Sequence, residues 1–174
     1  MADKPFKEEN YPNLSSEEID LMNDHYADQF DPDMTPEDIS ALITDTESEL
    51  NGATPEEIAL LVYLHKDGET DLWVFDVRDE GPHFWEGTLV KRGNRSYGVV
   101  KDEEVEDAFE AYAKNVIDEI VLPRIPEELR NYFDEEKYIQ DLESENGYGI
   151  MASYAGDDNE VYVGDQLWHV FRVN

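Results

Sequence analysis

The chain has no cysteine, which excludes disulfides, thiolate metal sites and a cysteine nucleophile. It is also poor in cations: 13 Lys+Arg stand against 44 Asp+Glu in 174 residues, a formal charge of −31 at pH 7. No apolar run approaches the ~20 residues of a membrane span. The opening Met1-Ala-Asp-Lys-Pro-Phe-Lys-Glu-Glu-Asn lacks the apolar core of a signal peptide, so a cytoplasmic location is expected. There is no Gly-rich phosphate loop followed by Lys-Ser or Lys-Thr, and no Gly-x-Ser-x-Gly elbow. Nucleic acid and anionic membranes repel a chain of this charge, so neither is an expected partner. Its complement is a basic surface, and the most basic deep grooves in a cell are those that hold DNA or RNA.

What is present argues for a folded core. Hydrophobic residues make up 40% of the chain, with 10 Tyr, 7 Phe and 3 Trp, a content that disordered acidic tails lack. The charge far exceeds the magnitude of about 2–8 that keeps a small domain soluble. Self-repulsion on this scale destabilises the compact state, so a function or an environment is expected to maintain it.

The pattern predicts an α+β protein in three segments. Residues 1–58 read as an acidic helical segment with 17 acids and two bases, Lys4 and Lys7. Helix starts stand at Ser15 with Glu18 three residues on, at Thr35-Pro36-Glu37-Asp38, and at Thr54-Pro55-Glu56-Glu57. Ile39, Leu42, Ile43, Thr46 and Leu50 keep helical spacing until Asn51-Gly52. Residues 59–101 read as a small antiparallel sheet of β-hairpins. Leu60–His65 and Asp71–Arg78 flank one Gly-containing loop, and His83–Val90 and Ser96–Val100 flank Lys91–Arg95. For residues 55–66 a helix driven through the Leu-rich run by the Thr54 cap is the alternative.

Residues 102–174 read as a helical segment closed by a short β-hairpin. Asp102 is expected to cap a helix running to about Ile120, with Val105, Ala108, Phe109, Tyr112, Val116 and Ile120 on one face. Pro123 ends it. A short helix opens at Pro126, another runs from Asp134-Glu135-Glu136 to about Leu142, and Gly147-Tyr-Gly149 reads as a turn. Strands Glu160–Val163 and Leu167–Val173 close the chain across Gly164-Asp165-Gln166.

Catalytic signals are weak. His25, His65, His83 and His169 show no helical i, i+4 pairing, so no metal site is expected. Asp31-Pro-Asp33-Met-Thr35-Pro36 begins like a calcium loop, but Pro36 replaces the turn glycine and no Glu closes it. Carboxylates are too common for any pair to stand out as a general acid and base, which would need a distinct environment. Neither an enzyme nor a cofactor is expected.

Acid spacing says more. Residues i and i+4 on a helix lie about 6 Å apart along the axis, close to the phosphate interval of one DNA strand. Glu103 with Asp107, and Glu106 with Glu110, form such ranks. Duplex DNA carries one charge per ~1.7 Å of axis, so a charge of −31 matches roughly 50 Å of duplex. The candidate partner-binding acids are Glu103, Glu106, Asp107, Glu110, Asp118, Glu127, Glu128, Asp134, Glu135, Glu136, Asp141, Glu143 and Glu145. Lys91, Arg92, Arg95 and Lys101 form one local basic island.

The stretch Ile125-Pro-Glu-Glu-Leu-Arg-Asn-Tyr-Phe-Asp-Glu-Glu-Lys-Tyr-Ile-Gln-Asp-Leu-Glu143 resembles the C-terminal motif of the ArdA antirestriction proteins of phages and mobile elements. The matching positions are Pro126, Leu129, Tyr132, Phe133, Asp134, Tyr138, Asp141 and Leu142, and Trp168-His-Val-Phe-Arg-Val-Asn looks like the family's closing aromatic strand. About 50 residues take part; Gln140 stands where the family usually has a basic residue, and a Gly147–Asn159 loop is extra. The resemblance implies a DNA mimic that evades host defence by filling the DNA-binding groove of a type I restriction-modification enzyme, commonly as a homodimer. Tyr132, Phe133 and Tyr138 are expected to form a small core beneath these helices. Other readings of the acidity are a halophile-adapted binding module, an inhibitor of another nucleic-acid-binding defence complex, and a hydrolase using clustered carboxylates with a divalent metal.

Overall fold

Three capped helices open the described chain. In the computed structural model residues 4–67, 76–77, 89–92, 95–152 and 159–173 are described. Helix α1 spans Ser16–Gln29, α2 Pro36–Gly52 and α3 Pro55–Lys66. Each begins with a reciprocal capping box. The Ser15 hydroxyl accepts from Glu18 N while Ser15 N donates to the Glu18 carboxylate at 2.7 Å, and Thr35–Asp38 and Thr54–Glu57 repeat the device. Two otherwise unpaired backbone donors are thereby satisfied at each start.

Strand β1 spans Asp76–Val77, β2 Leu89–Arg92, β3 Arg95–Lys101, β4 Asn159–Val163 and β5 Gln166–Arg172. They form one sheet in the order β1-β2-β3-β5-β4, with antiparallel pairing from β1 through β3 to β5. Helix α4 spans Val105–Val116 and α5 Glu135–Asn146. The protein is therefore α+β. No helix among the described residues is long and apolar enough to cross a membrane.

The chain divides into two compact units, Met1–Val74 with Val161–Leu167, and Phe75–Glu160 with Trp168–Asn174. In the first, α1 packs against α2 and α3, burying Ile19, Leu21, Met22 and Tyr26 with Leu42, Leu50, Leu60, Leu61 and Leu64. Phe6 is buried beside them, and its backbone N–H and C=O are both taken by the Asn23 side chain, at 3.1 and 2.9 Å. In the second, register places Leu89, Gly98 and Phe171 in one row across three strands. Val105 and Phe109 of α4 pack onto that row with Met151 and Val173.

Several expectations need correction. Leu60–His65 is not a strand: it continues α3, the helical alternative. The Thr54 box and Pro55 nucleate a helix that then buries Ala59, Leu60, Leu61, Val62 and Leu64 almost all round. A consecutive apolar run of this kind cannot be told from a buried strand by periodicity. The expected boundary at residues 58–59 thus falls inside α3. Of Asp71–Arg78 only Asp76–Val77 is described, and of His83–Val90 only Leu89–Val90; the remainder lies outside the described residues.

The expected loop Lys91–Arg95 is shorter, because Lys91 pairs with Ser96 and Arg92 with Arg95 in the ladder. Asp102 does not cap α4. Residues Asp102–Glu104 form a 3₁₀ turn without a side-chain cap, and Asp102 Oδ1 lies instead 3.0 Å from Nε2 of buried His169. After Val116 the helix widens into a π turn over Ile117–Val121 before a 3₁₀ turn at Leu122–Arg124. The short helix opened by Pro126 is 3₁₀, Glu127–Tyr132, and α5 runs one turn beyond Leu142 to Asn146. Gly147 turns the chain at φ +60°. In the last hairpin Gly164, also at φ +60°, occupies the turn between β4 and β5, a conformation glycine adopts at little cost.

Candidate functional site

The acidic surface of the second unit follows from what α4 buries. Val105, Phe109, Ala113 and Ile117 are 0–3% exposed and step by four residues, a buried column whose Val105 and Phe109 pack against Leu89 and Phe171 of the sheet. Ala113 and Ile117 belong to it in place of the more peripheral Ala108 and Val116 of the sequence reading. This column forces Glu103, Glu106, Asp107, Glu110 and Asp118 outward, and all are exposed. Glu127 and Glu128 are exposed on the following 3₁₀ turn, as are Asp134, Glu135, Glu136, Asp141, Glu143 and Glu145 on and beside α5. All thirteen candidate acids therefore reach solvent.

Helix α5 packs on α4, and two side chains mark the seam. Tyr148 sits edge-on to Phe109 at 5.6 Å between ring centroids. Burial raises its phenol pKa, and the nearby charges of Glu143, Glu106 and Asp102 push it in the same direction. Glu106 of α4 and Glu143 of α5 thus converge on one ring. At the other end Lys114 pairs with Glu110 at 2.5 Å, which together with the more distant Glu135 raises its pKa. Acids of both helices therefore lie near the seam.

Some candidate acids have local work as well. Asp134 caps α5 by accepting from Lys137 N at 3.0 Å, and Asp141 pairs with Lys137 Nζ at 2.8 Å. Both Glu110–Lys114 and Asp141–Lys137 are exposed i, i+4 pairs that water screens, so neither does much to hold the fold. Asp118, Glu127, Glu128, Glu136 and Glu145 are exposed on turns and on α5. From Asp102 to Asn146 there are 16 acids and four bases, so partial pairing leaves the surface strongly negative.

Two features escape sequence reading. One is the buried His169, held between Asp102 at 3.0 Å, a perpendicular Tyr148 ring with centroids 6.0 Å apart, and a stacked Phe171 ring. Asp102 and His169 are 67 residues apart, and only the β3–β5 register, pairing Val100 with His169, brings them together. The other is Tyr132. Phe133 and Tyr138 are half-buried and pack at 5.6 Å, as expected of a small core. Tyr132 is not in it: it is 84% exposed, and Leu129 is 51% exposed. Three-residue spacing of Pro126, Leu129 and Tyr132 was the available signal, because it suits a 3₁₀ turn better than an α-helix.

Among the described residues no group of three or more His, Asp or Glu side chains is placed to hold a metal ion. His25 and His65 each lie 3.0 Å from a carboxylate, of Glu49 and Asp24 respectively, within the first unit. His83 lies outside the described residues. Comparison of the chain with family models, curated proteins and solved structures finds no match.

Proposed function

We propose that this protein is a DNA mimic that inhibits by occupying the basic DNA-binding groove of a host defence enzyme, a type I restriction-modification system in the first instance. The observation that carries the reading is the exposure of all thirteen candidate acids on a braced helical surface, within a chain of net charge −31. Val105, Phe109, Ala113 and Ile117 bury one side of this segment, so its acids are carried together into solvent. Such an array releases counterions from a basic groove much as the phosphate backbone does. The inhibitor does no chemistry in this account. It works by occupancy.

The test is displacement of a labelled duplex from a purified type I restriction enzyme. Wild type should compete. Glu106→Gln, Asp107→Asn and Glu110→Gln combined should weaken competition by about tenfold or more, since each lost contact removes part of the electrostatic term. Undiminished potency in that variant would rule out mimicry by this face.

A further inference from the structure

We propose that Pro126, Leu129 and Tyr132 form an apolar ridge that anchors this acidic face in its partner, and that the surface it meets is an arginine- and lysine-lined nucleic-acid groove. The inference rests on the mimic reading above and adds to it a non-electrostatic contact. In a 3₁₀ helix residues three apart eclipse one another, about 6 Å apart along the axis. The turn Glu127–Tyr132 therefore stacks Leu129 and Tyr132 on one side, continuing from exposed Pro126. With Leu129 51% and Tyr132 84% exposed, the ridge stands in water.

The ridge is held there. Leu129 N donates to Pro126 O at 2.8 Å, and Phe133 N to Arg130 O at 3.1 Å, closing the turn at both ends. Arg130 Nε donates to Ile125 O at 3.1 Å, which folds the turn's own cation back onto its backbone. Just past the turn, Phe133 packs on Tyr138 of α5. Tyr132 is thus presented by a braced turn, at a position where its neighbour Phe133 is half-buried.

Charge selects the occupant. Glu127, Glu128, Asp134, Glu135 and Glu136, all exposed, lie on the same turn and at the start of α5. An aromatic centre with a charged rim is the anatomy of a protein interface, where Tyr is enriched among residues that dominate affinity. A second copy using the same patch across a two-fold axis would set these acids against themselves. A cationic groove fits instead: guanidinium groups stack on a Tyr face, and the aliphatic stems of Lys and Arg cover Leu and Pro.

The experiment is the duplex-displacement assay with the type I enzyme, run over a salt series on wild type, Tyr132→Ala and Tyr132→Phe. Circular dichroism should be unchanged, because the ring is largely in water. Tyr132→Ala should bind about tenfold more weakly at every salt concentration, with the same slope against salt, and Tyr132→Phe should stay within about twofold of wild type. If Tyr132→Ala matches wild type while wild type competes, the anchor is wrong and the mimic reading stands. If wild type displaces no duplex, both fall. Should wild type self-associate and Tyr132→Ala dissociate it at unchanged potency, the ridge is a contact between copies and the proposal is overturned.

Discussion

His25 shows what burial does to a charge-bearing side chain in this acidic setting. It lies inside α1, with Nε2 3.0 Å from Glu49 and 2.7 Å from Gln29. Burial lowers its pKa by more than Glu49 and Asp28 raise it. The folded value therefore lies below the unfolded value of about 6.5. As pH falls, the unfolded chain takes up this proton first, so stability is present above about pH 6.5 and is lost as pH drops through the folded value. His25→Gln should flatten that loss in urea denaturation between about pH 7 and 5; an unchanged pH slope would show that the ring does not carry it. A second group moves the other way: donation to Glu47 pushes the Tyr11 phenol up to about 12. At this scale the caps of Ser15, Thr35 and Thr54 were legible, because a cap and its partner sit three residues apart. The role of Asp102 was not, since its competitor for hydrogen bonding, His169, arrives from the far end of the chain.

Among the elements, α3 is the one whose sequence argued against itself. Its start is local and clear in Thr54-Pro55-Glu56-Glu57, while Leu60–Leu64 has the β-rich, all-apolar look of a buried strand. The cap decided the outcome, together with burial on nearly every side. Thr54→Ala should therefore cost about 1 kcal/mol in denaturant unfolding, with Thr54→Ser recovering most of it. No loss in the alanine variant would mean that packing of the Leu run alone holds the helix. The acidic helix α5 was readable from Asp134 onward because its cap is again local. The π turn after Val116 was not, since no local residue pattern marks an i+5 bond within a helical run. The candidate acids were legible in kind and exposure, as the outward complement of a four-residue apolar step. Their convergence across the α4–α5 seam came only with the fold.

For the molecule as a whole, composition already carried most of the functional argument. The proposed mimicry rests first on a net charge of −31 carried by a chain with a packed core. The structure adds that the candidate acids of the second unit all reach solvent, and that Leu129 and Tyr132 stand exposed among them. An electrostatic mimic must lose affinity with salt as DNA does, because both draw on ion pairing in the same groove. The direct measurement is the affinity of wild type for a type I restriction enzyme across a salt series, set beside that of a duplex bound in the same groove. Mimicry predicts mutually exclusive binding and a steep linear fall of log affinity with log salt, comparable to that of the duplex. Affinity that stays flat with salt, or binding that leaves the duplex in place, would contradict it.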